Sequence, residues 1–392
     1  MARREGGGGR IEHLEAVPLA GGARYNPALP RGEPTEIANA EEAPRPPQAR
    51  TEEAARAEEA PAEEVNPGKP RAPRAAFALG GPSRGLRAAL PAAWREAVER
   101  GLVLYDPSRA ERFESGPFRF HLFPERASRP GATRPTAGGL RAPHEPCPFD
   151  GEDFSLEREF ARLARGGRAY HLAANRYPIA PRHFIGVRSA SSPGLSQCVQ
   201  SAEEVEDMLL AAEALGAEYR VHFNSNPGRD GSQSGSSVNH WHFQAFAYPS
   251  EFSPGISGAE IALGPSEDGV RAGPVLAWPA RAFALEAEPN AFRRAAEVLW
   301  ERIARLTASE AAYNLEVRRL PHGFRALLFA RRPAPDLEIP GAGILSANFG
   351  GWELSGDIVI PTRPVFAWLR AHPEEAAELL RRRLAESTRE VP

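Results

Sequence analysis

The sequence has almost no lysine: its only lysine is Lys69, and every other strongly basic side chain is arginine. Schiff-base enzymes, P-loop nucleotidases and kinases all need a lysine in their folded part. Lys69 falls in a proline-rich stretch that we expect to be disordered, so these mechanisms are excluded. A phosphate bound by this chain must be held by arginine, histidine, hydroxyl groups or backbone N–H groups.

Cysteine is also scarce, with only Cys147 and Cys198 in 392 residues. Two cysteines cannot build a disulfide framework, and they suit a reducing compartment. There is no run of eighteen apolar residues and no apolar signal segment. The net charge of -3 gives no general attraction to nucleic acid or to anionic lipid. We therefore expect a cytoplasmic protein with no nucleic-acid or membrane partner.

The first 75 residues are rich in Ala, Glu, Arg, Pro and Gly and contain few large apolar side chains. Such a segment cannot bury enough apolar surface to offset the entropy lost on ordering. The sequence therefore predicts a disordered N-terminal tail over residues 1–75.

The stretch from Val238 to Phe246 carries the clearest chemical signal. Its apolar and polar residues alternate with a period of two, which predicts a β-strand. His240, His242 and Gln244 would then share one face. The opposite, largely apolar face, which can pack on a core, consists of Asn239, Trp241, Phe243 and Ala245.

Two imidazoles and an amide in a row suit chemistry on a phosphate. A neutral imidazole has a free ring nitrogen near neutral pH and is a good nucleophile. An amide can donate a hydrogen bond to a phosphoryl oxygen without exchanging a proton. The alternatives are two hydrogen-bonded structural histidines or a metal-binding pair. The metal strand of a cupin has a carboxylate four or five residues after its second histidine, whereas the first one here is Glu251.

The segment His240-Trp241-His242-Phe243-Gln244 resembles the His-x-His-x-Gln motif of the transferase branch of the histidine triad superfamily. With the preceding residues 219–226, it looks most similar to the GDP-L-galactose and GDP-D-glucose phosphorylases and their bacterial relatives. The same branch includes galactose-1-phosphate uridylyltransferase and diadenosine tetraphosphate phosphorylase. The resemblance implies that His242 attacks the α-phosphorus of a nucleotide and carries the nucleoside monophosphate covalently.

The resemblance also implies an α+β fold that contains an antiparallel sheet with packed helices. Strands, a long helix and strands occur twice along the chain, which indicates a duplicated histidine-triad-like fold. Apolar residues at helical spacing predict the two helices over residues 202–217 and 290–306, the first with Ser201 as N-cap and Glu204 completing a capping box. Two strands over residues 312–317 and 324–329 are predicted to form a hairpin after the second helix. We predict a catalytic repeat over residues 76–265 and a second, degenerate repeat over residues 266–392. Because the second repeat has no His-x-His, one active site per chain is expected.

Further candidates for binding the nucleotide or its phosphates surround this motif. The resemblance places Asn175 and His183 near the base and phosphate, although His183 could equally be a structural cap. A Gly/Ser loop over residues 227–237, just before the motif, can direct N–H groups at an anion, or can merely be flexible. Arg126 and Arg129 belong to a region that lies near the nucleotide in the resembling families, or face solvent. The remaining predicted phosphate or nucleotide ligands are Asn224, Ser225, Asn226, Ser236, Ser237 and Arg325.

The segment from Cys147 to Asp150 resembles a Cys-Pro-Phe-Cys element that holds zinc in some uridylyltransferases. Its second cysteine is replaced by Asp150, and there is no second Cys-x-x-Cys. A structural zinc site needs four ligands, usually with several thiolates. We therefore predict no metal site and no cofactor.

The predicted function is that of a nucleotidyltransferase, which cleaves a nucleotide sugar of the GDP-hexose type with inorganic phosphate. Two alternatives remain open. One is a dinucleoside polyphosphate phosphorylase or adenylyltransferase that uses the same His242, and the other is a nucleotide-binding protein without catalysis. The sequence also leaves open whether two chains form a homodimer.

Overall fold

The computed structural model describes residues 75–81, 84–128, 149, 159–189, 196–226, 228–248, 255–346 and 348–392. These residues belong to one compact unit, Glu63–Pro392. The predicted N-terminal tail therefore lies outside the described residues except for Ala75, which opens the first strand. None of the described helices is both long enough and apolar enough to cross a membrane.

The described chain forms sixteen strands and six α-helices. The strands are β1 (Ala75–Ala78), β2 (Glu111–Ser115), β3 (Phe118–Leu122), β4 (Glu159–Arg165), β5 (Arg168–Ala174), β6 (Phe184–Arg188), β7 (Tyr219–Asn224), β8 (His242–Ala247), β9 (Val270–Pro274), β10 (Phe283–Ala287), β11 (Tyr313–Leu320), β12 (Gly323–Arg331), β13 (Leu337–Ile339), β14 (Gly343–Leu345), β15 (Asp357–Ile360) and β16 (Thr388–Arg389). The helices are α1 (Arg84–Glu99), α2 (Ala202–Leu215), α3 (Phe292–Ala308), α4 (Gly351–Leu354), α5 (Arg363–Ala371) and α6 (Pro373–Ser387).

Eleven of these strands form one sheet in the order β1-β4-β5-β6-β8-β7-β11-β12-β10-β9, with β16 beside β12. The segments β5-β6-α2-β7-β8 and β9-β10-α3-β11-β12 have the same order of elements along the chain. They also have the same order in the sheet, counted inward from each side, and they meet where β7 pairs with β11. The prediction of a duplicated α+β fold is confirmed. Both repeats share one sheet, so the sheet does not mark where one repeat ends and the other begins. The boundaries at residues 75 and 265 therefore remain predictions.

One face of this sheet packs against helices α1, α2 and α3 in the main hydrophobic core. The apolar side of β8 enters this core through Phe243 and Ala245, as the alternation predicts, and Trp241 just before the strand enters the same core. Gly186 lies opposite Phe243 on β6, and a Cβ atom built on it would lie only 2.2 Å from the Phe243 ring. Glycine is therefore required where the phenyl ring crosses the neighbouring strand.

The other face of the sheet is divided between the two repeats. Over the second repeat it is covered by the small sheet β15-β3-β2 and by helices α5 and α6, which together bury a second apolar cluster. Over the first repeat it carries the polar side chains of β7 and β8, including His242 and Gln244. This division leaves the polar residues of the first repeat as the candidate site.

His222 and Glu316 face each other at the junction between the repeats, where β7 pairs with β11. The His222 Nε2 atom lies 3.4 Å from a Glu316 carboxylate oxygen, and both side chains are buried. Burial lowers the pKa of His222 to about 4, and the nearby positive charge of Arg220 acts in the same direction. His222 is therefore neutral at physiological pH.

This neutral histidine should make stability depend on pH. A histidine whose pKa is about 4 when folded and about 6.5 when unfolded binds its proton more tightly in the unfolded chain. The free energy of unfolding should fall as the pH drops through that window, by at most about 1.4 kcal/mol per pH unit for one proton.

Replacing His222→Gln should reduce the slope of unfolding free energy against pH between these two values, as measured by urea unfolding at several pH values. His121 and His183 should contribute to the slope that remains, because burial also lowers the pKa of each. A variant with the same slope as the wild type would contradict the assignment.

Candidate functional site

His242 is the first residue of β8, and its side chain is buried on the polar face of the sheet. Its Nδ1 atom lies 2.7 Å from the backbone carbonyl oxygen of His240. A carbonyl only accepts hydrogen bonds, so Nδ1 carries the proton and donates it. The neutral tautomer that results has its lone pair on Nε2, which is the form required of a nucleophile.

His240 does not lie on the strand. The prediction that the strand runs from Val238 is wrong, because β8 begins at His242 and the preceding residues form bends. These residues make hydrogen bonds to other segments instead of pairing with a neighbouring strand. The Asn239 side chain, for example, accepts the backbone N–H of Gln197 at 3.0 Å. His240 nevertheless lies on the same side as His242, because the Phe149 ring packs edge-on against both imidazoles, with centroids 5.9 and 5.3 Å away.

His240 is fully buried, and its Nε2 atom lies 2.9 Å from the carbonyl oxygen of Arg188 at the end of β6. Its proton is therefore on Nε2, where it donates to that carbonyl. This bond fixes the ring of His240 while its own carbonyl holds His242. The structure thus gives His240 a direct role in orienting the second histidine.

Gln244 and His183 form a hydrogen-bonded pair next to His242, and the side-chain NH₂ group of Asn175 lies against His183 without bonding it. The Nε2 atom of His183 is 3.0 Å from Oε1 of Gln244 and 3.1 Å from Nδ2 of Asn175. The backbone N–H of Ile179 donates to Nδ1 of His183, so the imidazole proton lies on Nε2 and is donated to Gln244. This contact fixes the amide oxygen of Gln244 and leaves its NH₂ group as the end that can donate to a ligand.

His183 is completely buried, and burial holds its pKa well below the usual range. The positive charge of Arg126 lowers this pKa further. His183 is therefore neutral at physiological pH and donates a hydrogen bond to Gln244.

Arg126 lies close to this group and is half-buried. Its Nη1 atom donates to the carbonyl oxygen of Tyr177 at 2.6 Å, two residues after Asn175. The side chain is thus held against the protein, and its place near a nucleotide remains a prediction. Arg129 lies outside the described residues.

The predicted ligands at the end of β7 are engaged within the protein. Asn224 Oδ1 accepts bonds from the Asn314 side chain at 2.8 Å and from the Gly351 backbone at 3.0 Å. Ser225 exchanges bonds with the backbone of Tyr313 on β11. Asn226 Nδ2 donates to Oδ1 of Asn239 at 2.6 Å. These residues join the Gly/Ser loop to the sheet.

The Gly/Ser loop is held near its C-terminal end by one contact to Asn348 and by one local contact. The backbone N–H of Gly235 donates to Oδ1 of Asn348 at 2.7 Å, and Ser236 Oγ donates to the carbonyl oxygen of Val238 at 3.3 Å. Ser237 is half-buried. The loop therefore has a defined path into His240 and His242, with the Gly235 N–H already engaged.

Arg325 is not brought together with the histidines. It pairs with Arg318, which pairs with Arg220, which pairs in turn with Phe246, four residues beyond His242. At typical spacings this places it about 13 Å along the strands and about 14 Å across them from His242. Its guanidinium instead bonds the Glu286 carboxylate on β10, with Nε at 2.9 Å.

Gln197 contacts His242 directly, although it is not among the site residues predicted from the sequence. Its completely buried side chain accepts the backbone N–H of His242 and donates to the carbonyl oxygen of the same residue, both at 2.8 Å. Gln197 lies in an irregular segment before α2, and no periodic pattern or motif there distinguishes it from other loop residues.

No group of three or more potential metal ligands occurs within the residues that the structure describes. Cys147 and Asp150, the two residues compared above with a zinc-binding element, lie outside the described residues.

Proteins similar to this chain were found only among solved structures. Neither the models of known protein families nor the curated protein sequences contain a match. Among solved structures, the chain is similar to yeast Ap4A phosphorylase Apa2, with a TM-score of 0.56 and 17% identity over 77% of this chain and 97% of that one. The same yeast enzyme in complex with AMP and with Ap4A gives TM-scores of 0.52 and 0.53.

A DUF4931 family protein from Bacillus cereus is similar over 44% of this chain, with 12% identity. Its TM-score of 0.32 is too low to establish a common fold. The likeness to the yeast enzyme spans nearly all of that enzyme. The chain therefore has the duplicated histidine-triad-like fold of an Ap4A phosphorylase.

Proposed function

We propose that this protein is a nucleotidyltransferase that transfers a nucleoside monophosphate through a covalent bond to His242. The observation that carries the proposal is the 2.7 Å contact between Nδ1 of His242 and the carbonyl oxygen of His240. It assigns the lone pair of the imidazole to Nε2, the atom that has to attack phosphorus.

In the first step, Nε2 attacks the α-phosphorus of a nucleoside-diphosphate sugar or of a dinucleoside polyphosphate. The Nε2–P bond forms, the bond from phosphorus to the bridging oxygen breaks, and the leaving phosphate keeps the electron pair. The imidazole of the intermediate is cationic because Nδ1 keeps its proton, and the His240 carbonyl stabilises that charge. In the second step an oxygen of inorganic phosphate attacks phosphorus, and the Nε2–P bond breaks.

Gln244 acts on the charge of the transferred phosphoryl group in both steps. Because His183 holds its oxygen, the NH₂ group donates to a non-bridging oxygen. A glutamine is sufficient here because each leaving group is a phosphate or an imidazole, neither of which requires a strong acid. A hydrolase with a poorer leaving group would benefit from a residue that can supply a proton.

The donor that we propose from the sequence is a nucleotide sugar of the GDP-hexose type, with inorganic phosphate as acceptor. A dinucleoside polyphosphate is the second candidate. The likeness to the yeast Ap4A phosphorylase supports this donor as much as it supports the nucleotide sugar. Both donors contain a phosphoanhydride at the α-phosphorus, and both use the same His242. They differ in the base and in the leaving group.

The central experiment is intact-protein mass spectrometry after incubation without phosphate. The nucleotides offered are GDP-glucose, GDP-mannose, ADP-glucose, UDP-glucose and diadenosine tetraphosphate. We expect an added mass equal to one nucleotidyl group, that is, one nucleoside monophosphate less one water, which also identifies the base. His242→Asn should give no adduct, because its side chain lacks the nucleophilic nitrogen.

The matched control is His322→Asn, which changes an exposed histidine in the turn between β11 and β12. This variant should form the adduct as the wild type does. An adduct on the His242→Asn protein would disprove the assignment of the nucleophile. Absence of an adduct and of nucleoside diphosphate release on adding phosphate would favour a binding protein.

Gln244→Ala should slow adduct formation by about 10²- to 10³-fold, which is typical for loss of one transition-state donor. The rate is measured by quenching single-turnover mixtures and weighing the protein. Exposed Gln200→Ala serves as the control and should keep the wild-type rate. If Gln244→Ala reacts as fast as the control, Gln244 does not act on the transferred group.

A further inference from the structure

The ladder between β7 and β8 stops immediately before the nucleophile. Its last pair is His222 with Gln244, and continuing the same register would bring Asn224 opposite His242. The side-chain amide of Gln197 instead stands between these two residues. Its Oε1 accepts the His242 N–H, and its Nε2 donates to the Asn224 carbonyl, both at 2.8 Å. One amide thus relays a hydrogen bond between strands that no longer meet there.

The same amide also holds the other backbone group of the nucleophile. Its Nε2 donates a second bond to the carbonyl oxygen of His242, again at 2.8 Å. With both its N–H and its C=O held by one planar group, the backbone of His242 has little freedom to rotate. Because the direction of the imidazole is set from this backbone, Gln197 limits where Nε2 can point.

The backbone of Gln197 connects this clamp to the Gly/Ser loop. Its N–H donates to Oδ1 of Asn239 at 3.0 Å, and its C=O accepts the N–H of Asn226 at 2.7 Å. Asn226 and Asn239 stand at the two ends of the loop, and their side chains bond each other. One buried residue therefore holds the nucleophile and both ends of the loop.

We propose that Gln197 is a positioning residue for His242, an inference that rests on the proposed role of His242 as the nucleophile. Direct pairing of Asn224 with His242 would satisfy the same backbone groups without a third residue, and without the entropy lost on ordering a glutamine side chain. The insertion opens the sheet at the site of reaction and directs Nδ1 of His242 to the His240 carbonyl.

Two variants test this role. Gln197→Met has a similar length but can neither accept the His242 N–H nor donate to the two carbonyls. Gln197→Glu keeps an acceptor and, when its buried carboxyl is protonated, regains one donor. The matched control is Arg87→Met, because Arg87 likewise bonds two backbone carbonyls, those of Glu213 and Ala214, but on the helical side of the sheet.

The first measurement is the ¹⁵N NMR spectrum of the His242 ring in the ligand-free protein, assigned by its loss in His242→Asn. We expect the wild type and Arg87→Met to show the tautomer with the proton on Nδ1. Gln197→Met should show a mixture of tautomers, because the ring is no longer directed at the His240 carbonyl. An unchanged tautomer in Gln197→Met would overturn the inference whether or not the protein is an enzyme.

The second measurement is the rate of single-turnover adduct formation at saturating donor, expressed per folded molecule. Gln197→Met should react about 10²-fold more slowly, the scale expected for a misplaced reacting group, while the dissociation constant of the donor changes little. A purely structural role would reduce the folded fraction and leave this rate unchanged, which would also overturn the inference.

Gln197→Glu adds a readout that folding alone would not change. Its rate relative to the wild type should rise as the pH is lowered from about 8 to about 6, since the protonated carboxyl restores one donor. If the wild type forms no adduct but the tautomer responds to Gln197→Met, the positioning role stands and the proposed function fails.

Discussion

Strands β7 and β11 pair antiparallel from Asn224 with Asn314 to Arg220 with Arg318, and this pairing joins the two repeats into one sheet. The register of this pairing determines which side chains lie opposite each other on the polar face. Gln244 lies opposite His222, and His222 lies opposite Glu316. The buried charge of Glu316 is compensated by Arg220, which lies 3.2 Å away. The same junction therefore supplies a continuous core on one face and a fixed row of polar groups on the other.

The two repeats use this shared frame differently. When they are aligned on the pair of His222 and Glu316, the strand registers place Arg325 where the first repeat has His242, and Leu327 where it has Gln244. Arg325 is bound to Glu286, and Leu327 enters the apolar cluster under β15 and the C-terminal helices. The second repeat thus has an ion pair and apolar packing at the positions where the first repeat has His242 and Gln244. Its residue Arg331 still reaches the junction, with Nη1 3.1 Å from Oδ1 of Asn314.

Periodicity was sufficient to predict much of the fold. Helices α2 and α3, the hairpin of β11 and β12 and the core face of β8 all follow from apolar spacing, because each element packs one side on a large core. Helix α2 shows where local rules fail. Its predicted cap, Ser201, makes no side-chain capping bond, and Glu204 instead accepts the Gln200 N–H and pairs with Arg188. Tertiary contacts decide such details.

The site was predictable only where a motif marked it. His242, His240 and Gln244 stand out in the sequence, but the start of β8 does not, because it depends on Gln197 from 45 residues earlier. Contacts that join distant loops leave no local pattern. The partner of Arg325 could not be foreseen for the same reason, since it depends on how β10 pairs with β12.

The central claim is that Nε2 of His242 is the atom that attacks phosphorus, because the His240 carbonyl holds the proton on Nδ1. The most direct test uses ¹⁵N-histidine-labelled protein, carrying whichever nucleotide forms the adduct, and examines it by ³¹P and ¹⁵N NMR. We expect coupling of phosphorus to Nε2 of His242, with a proton retained on Nδ1. Phosphorus bonded to Nδ1, or to any other residue, would contradict it.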